Sequence, residues 1–316
     1  MPVYEKNGLT LFIDGMPDEQ VVPNPELVMC LVGIISVDRL GVPGLKQYKD
    51  VPTRDRPEIA QNLAQQIRND ALEVFGIATC AHSSEVARYG EKFLSILPKG
   101  VVKPVNEKRI RVGKEKLGLN VSLVMPWYAA SLVFMGLRTA IWARQINESQ
   151  VSIILDLLPS APSTAMKLLQ LISYHPELSQ LWEETITKFS VDFQFGNMNT
   201  FTTLDGSKCS AKDHPGLILA DWFSHSVFAA CNSAHTLDGS VGRSEEYRRA
   251  LAEPFFALHE KKKINVISLN RLIVSEESST VDDAEFLKNL GCVAKMIGLE
   301  GSIFSRLILN GCPILV

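Results

Sequence analysis

The stretch Pro215–Ala230, PGLILADWFSHSVFAA, sets one carboxylate, Asp221, in the middle of an apolar segment. Leu217, Ala220, Val227 and Cys231 recur at helical spacing, and Pro215 suits a first-turn position, so the segment is predicted to be a helix. An Asp buried there is costly unless something pairs with it or coordinates it. His225 lies four residues on and projects from the same helical face, and an imidazole titrates near neutral pH. Two further carboxylates stand in similarly apolar settings. Asp14 ends LTLFID, and Asp156 ends VSIILD. Three carboxylates at the ends or centres of buried elements predict one shared polar site. Each also has a plainer use. A strand-terminal Asp forms turns or caps helices, which would account for Asp14 or Asp156. Asp221 can be held by a neighbouring backbone group or by Arg138, and His225 can be a partly buried histidine with no catalytic part.

The elements that must position these residues follow from apolar runs and their punctuation. Leu9–Asp14 reads as a strand ended by Gly15 and Pro17. Leu27–Val37 reads as a second strand, with a bulge expected at Gly33. Residues 39–56 are polar and rich in Gly and Pro, and so are expected to form a loop. Pro57 opens an amphipathic helix with Ile59, Leu63 and Ile67 on one stripe. Val74–Cys80 is predicted as a strand, Ser84–Leu97 as a helix, and Gln150–Leu157 as a strand carrying Asp156. A helical pattern runs from Ser163 to Phe189, broken or kinked near Pro176. Val191–Phe195 alternates as a strand does, and Gly206 marks a turn. After the Asp221 helix come a helix at Glu245–Glu260 and a strand at Ile264–Val274. A final helix is opened by a capping box at Asp282 and Glu285.

Composition narrows the classes. The 316 residues are 46% hydrophobic and 21% charged, enough to bury a large core. A formal charge of −3 gives no overall attraction to nucleic acid or anionic membrane. One local segment departs from this. Lys99–Lys116 holds seven Lys and Arg residues, among them Lys108, Arg109 and Arg111, against two Glu. It is expected to be a solvated loop or edge hairpin, or else a patch that contacts phosphate. Val124–Ala143 carries a single charge, Arg138, in twenty residues, and is expected to be a core helix rather than a membrane span. The six cysteines are far apart with no CxxC pair, which predicts reduced thiols and no zinc or disulfide framework. The start lacks a basic-then-apolar signal, so the expected location is cytoplasmic. No GxxxxGK[ST], HExxH or GxSxG motif is present, and no GxGxxG follows the first strand.

The order of three strands, then alternating helices and strands, with Asp14 on the first strand, Asp156 on the fourth and Asp221 on a late helix, resembles the ribonuclease H-like folds. More narrowly it is similar to the bacterial family called "domain of unknown function 3800". Members of that family open with a strand ending Asp-Glu-Ser-Gly, carry an Asp after a later strand, and have a late helix like Leu-Gln-Leu-Ala-Asp. The matching positions are Ile13-Asp14-Gly15, Ile154-Leu155-Asp156 and Leu217-Ile218-Leu219-Ala220-Asp221, and the likeness spans residues 9–231. Gly15 and Met16 stand where the family has Glu and Ser, and residues 126–144 hold none of the acids of the minimal fold's first long helix.

The resemblance implies an α/β protein with a ribonuclease H-like central mixed β-sheet flanked by helices. Residues 1–235 would form that domain, with an insertion near 39–72, and residues 236–316 a C-terminal extension packed on it. It also implies a divalent-metal-dependent, nuclease-like phosphodiester hydrolase. Asp14, Asp156 and Asp221 would hold Mg²⁺ or Mn²⁺, with Asp14 as the bridging ligand. His225 or His214 would move protons, and Lys208 and Lys212 would meet phosphate alongside Lys108, Arg109 and Arg111. Two alternatives stand beside this reading. One is a catalytically degenerate relative that binds nucleic acid or protein. The other is a metal hydrolase of a phosphorylated small molecule, which the slightly acidic charge favours over a duplex-binding enzyme.

Overall fold

The computed structural model describes residues 9–16, 27–36, 42–96, 119–155, 169, 171–173, 176–195, 200–202, 208–210, 214–232, 244–268 and 314–315. Strands β1 (Leu9–Met16), β2 (Val28–Ser36) and β3 (Val74–His82) form an antiparallel meander. β4 (Gln150–Leu155) runs parallel to β1 on its other side, and β5 (Asp192–Phe195) runs parallel to β4. A two-stranded ribbon of β6 (Thr200–Thr202) and β7 (Lys208–Ser210) stands apart from this sheet. β8 (Ile264–Ser268) pairs parallel with β3, and β9 (Ile314–Leu315) antiparallel with β8. The mixed sheet has the order β5-β4-β1-β2-β3-β8-β9.

Alternation along the central strands feeds two cores. Leu11 and Ile13 of β1 point to one face with Leu31 and Ile77. That face is covered by α2 (Ser83–Ile96), α3 (Leu119–Gln145) and α4 (Pro176–Phe189). Phe12, Val32, Ala78 and Ile154 point to the other, covered by α1 (Arg56–Arg68), α5 (Pro215–Cys231) and α6 (Glu245–Glu260). Adjacent residues of one strand therefore serve opposite layers, the period-two rule of a sheet covered on both sides.

α3 is apolar on nearly every side because it lies between the sheet and its neighbours α2 and α4. Its Thr79 partner on β3 binds Ser131 hydroxyl to hydroxyl at 2.9 Å, so this polar pair is satisfied inside the core. No helix among the described residues is long and apolar enough to cross a membrane.

The structure corrects one expectation at Gly33. The β1–β2 and β2–β3 registers run through it without a bulge. Its missing side chain serves packing instead, since a Cβ there would sit 2.8 Å from Leu11 Cδ1 and 3.3 Å from Met135 Sδ. The 39–56 loop contains a short 3₁₀ turn, Tyr48–Asp50. Residues Lys99–Lys116, with Lys108, Arg109 and Arg111, lie outside the described residues. So do the Gly206 turn and the capping box at Asp282 and Glu285.

Candidate functional site

Asp14 owes its direction to strand alternation. It shares the face of Phe12, which looks toward α5. At the start of α5, Gly216 lets the Phe12 ring approach so closely that a Cβ on residue 216 would be 2.4 Å from it. This contact seats α5 on β1. Asp14 is then only 9% exposed, and the Ser224 hydroxyl donates to its Oδ2 at 2.7 Å. The same Ser224 Oγ lies 2.8 Å from the Asp221 carbonyl oxygen, one turn back on the helix. One serine thus ties the β1 carboxylate to the turn of α5 that carries the second.

Asp221 is engaged on both oxygens. The Tyr48 N–H donates to its Oδ2 at 2.7 Å, and His225 Nε2 lies 3.5 Å from its Oδ1. The spacing of four residues puts the imidazole where helix geometry requires. Its ring stacks on Tyr48, with centroids 3.5 Å apart and planes 15° from parallel. A stacked imidazole occupies one face of the phenol, so the Arg56 guanidinium, 4.2 Å from the ring centre, takes the other. The Trp222 indole N–H donates to Lys46 O at 2.7 Å and packs edge-on against Tyr48. Residues 46–56 are therefore strapped to α5 around Asp221. Burial pushes the Tyr48 hydroxyl up to about 12, reinforced by Tyr247 and opposed by Arg56, so the phenol stays protonated at neutral pH.

Two sequence expectations are corrected here. His214 does not sit as a proton shuttle. It caps α5, its Nδ1 accepting the Gly216 N–H at 3.1 Å, with its ring 4.8 Å from that of Phe12. Burial drives its pKa down to about 4, which leaves a neutral imidazole at physiological pH. Arg138, considered as a partner for Asp221, lies on α3 across the sheet, where its guanidinium stacks over Trp142 at 4.8 Å.

Asp221 and His225 are brought together at Tyr48, and Ser224 joins Asp14 to the backbone of the same helical turn. Asp156 lies outside the described residues, although Leu155 before it pairs with Ile13 before Asp14. Lys212 is likewise outside, and Lys208 opens β7 in a stretch whose side chains are not described. Hard carboxylate oxygens suit Mg²⁺ or Mn²⁺ in kind. Among the described residues, no three ligating side chains converge. A hollow of about 390 Å³ lies on the α1 side of the strap, lined by Leu45, Lys46, Asp50, Asp55, Ile59 and Asn62 among others, and includes neither Asp14 nor Asp221.

Sequence reasoning missed Ser224 and Tyr48. Ser224 had a signal, since it stands three residues after Asp221 on the same helical side. Tyr48 had none, because its bond to Asp221 joins residues 173 apart. Comparison with protein-family models, with curated proteins and with solved structures finds no match to the chain.

Proposed function

We propose that the chain is a divalent-metal-dependent phosphodiester hydrolase of the ribonuclease H-like type, acting on nucleic acid or a phosphorylated small molecule in the cytoplasm. The observation that carries this reading is the Ser224 bridge, which gathers the β1 carboxylate and the Asp221 turn at one place. The strand order supports it as well. An antiparallel β1-β2-β3 meander with β4 and β5 parallel on the far side of β1 is the arrangement expected of that fold.

In this reading Asp14 and Asp221 hold Mg²⁺ or Mn²⁺, with Asp156 entering from the sequence alone. Such an ion supplies an activated water and charge stabilisation at the leaving oxygen. Asp14, anchored in mid-sheet, is the rigid ligand. His225 holds or passes a proton from its place beside Asp221. Lys108, Arg109, Arg111, Lys208 and Lys212 are the candidate phosphate contacts.

A second reading is a catalytically degenerate relative that binds nucleic acid or protein. The capture of both Asp221 oxygens by Tyr48 and His225 favours it, since a carboxylate spent on holding a loop is a poorer ligand.

Thermal melts of parent and Asp14→Asn with and without Mn²⁺ decide between the two. The exchange keeps volume and an acceptor for Ser224 while removing the charge. A metal site predicts that Mn²⁺ raises the parent Tm with concentration and that the variant loses this shift and any phosphodiesterase activity. A purely structural Asp14 predicts no metal shift in the parent and a variant destabilised by about 1 kcal/mol.

A further inference from the structure

A second cluster lies two turns along α5 from Ser224. Cys231, the last residue of the helix, meets Cys80 of β3 with their sulfurs 3.9 Å apart, although 151 positions separate them in sequence. Cys30 stands opposite Cys80 in the β2–β3 register, but its thiol donates to Ser224 O at 3.5 Å. None of the three is in a disulfide. Cys80 is 6% exposed, whereas Cys231 is only partly buried. The end of α5 is fixed just beyond it. The Asn232 side chain accepts from Val28 N at 2.7 Å and donates to Val28 O at 2.9 Å, which pins this helix end to β2.

We propose that Cys80 and Cys231 are a redox-modification site, a dithiol that a peroxide converts to a disulfide between β3 and the end of α5. The Cys231 thiolate attacks one oxygen of hydrogen peroxide, the O–O bond breaks, and hydroxide leaves, giving a sulfenic acid on Cys231. The Cys80 sulfur then attacks the Cys231 sulfur. The new S–S bond forms as the S–OH bond breaks, and the Cys80 proton leaves with that hydroxyl as water. Two thiols are oxidised by one peroxide, and two waters result.

The roles follow from position. Cys231 is the less buried residue of the two, and the hydrogen bond from Cys80 draws its thiol down. Cys80 is held protonated by Cys231 and by burial, which suits the resolving partner. The sulfurs stand 3.9 Å apart and must close to a bond of about 2.05 Å. Cys30 is kept from competing by its bond to the α5 backbone.

The test uses the full chain, reduced, freed of reductant and treated with hydrogen peroxide. The expected product has lost two hydrogens by intact mass. Non-reducing peptide mapping then finds the peptides of Cys80 and Cys231 joined. Its Tm rises by about 5 °C, because the cross-link constrains the unfolded chain, and dithiothreitol reverses the change. In Cys80→Ser the same treatment leaves Cys231 as a sulfenic acid that dimedone labels. The proposal is overturned by a parent in which Cys231 proceeds to sulfinic acid unlinked, in which Cys30 and Cys80 are joined instead, or in which neither thiol reacts. Because these outcomes are read on the parent, a variant that fails to fold does not shield the proposal.

Discussion

At the scale of single residues, His214 shows how burial turns a titratable group into a structural one. Its Nδ1 is committed to the Gly216 N–H, and its ring is closed in by Phe12. Its ordinary pKa of 6.5 falls to about 4 through desolvation. Between those values the unfolded chain binds a proton that the folded chain refuses. The sign follows directly: stability rises with pH across the window and is lost as pH falls from about 6.5 to about 4, by up to about 3 kcal/mol. His214→Asn keeps a capping acceptor at the helix start and removes the titration. Urea midpoints of parent and variant should run together near pH 7 and diverge below pH 6.5, with the parent falling faster. Parallel profiles would show that His214 is not desolvated. The same contrast explains what was legible at the site. Asp221 and His225 could be paired from their spacing, and Asp14 from its place at the end of an apolar run. The Tyr48 N–H that holds Asp221 could not, because only the tertiary fold brings it there.

At the scale of elements, the junction of β1 with α5 positions the two described carboxylates, and it depends on one missing methyl group. Gly216→Ala would drive a Cβ to 2.4 Å from the Phe12 ring, well inside van der Waals contact. The ring sits between the sheet and the helix and cannot swing to solvent. The expected cost is about 2 kcal/mol by chemical denaturation, and Phe12→Leu in the same chain should recover part of it in a double-mutant cycle. Additive costs would mean that the two residues do not share this contact. The elements themselves were largely readable, since α1 and α5 open on a first-turn proline and α1 and α6 carry periodic apolar stripes. Two features were not. A glycine in a strand reads as a bulge, whereas Gly33 serves the close approach of Leu11 and Met135. The 42–55 segment reads as bare loop, because its order comes from Trp222 and Asp221 rather than from its own sequence.

At the scale of the whole molecule, the sheet is a plane with two independent cores, and the layer on the site's side is closed from the C-terminal end of the chain. α6 buries Leu251, Ala252, Ala257 and Leu258 in the layer that also holds Ala60, Leu63, Ala64 and Ile67 of α1. β8 extends the sheet beyond β3, and its Ile264 side chain fills the space left by Gly76. The ion pairs along this seam, Arg68 with Glu253 and Glu260 and Asp70 with Lys261 and Lys263, are solvated and add little. Stability there therefore comes from apolar burial. Leu251, Leu258 and Ile264 at roughly 1.5 to 3 kcal/mol each, with about 0.8 kcal/mol for each alanine methyl, are comparable to a domain's usual margin of about 5 to 15 kcal/mol. A chain ending at residue 243 should lose this, expose the α1 stripe and leave β3 as an open edge. It should bind a hydrophobic dye, lack near-ultraviolet circular dichroism and aggregate on concentration. A chain ending at residue 268 keeps α6 and β8, gives up only the β8–β9 pairing among the described elements, and should retain a cooperative melt. If the chain ending at 243 melted as sharply as the one ending at 268, the first 243 residues would fold alone, and α6 and β8 would be additions to the carboxylate layer rather than part of what closes it.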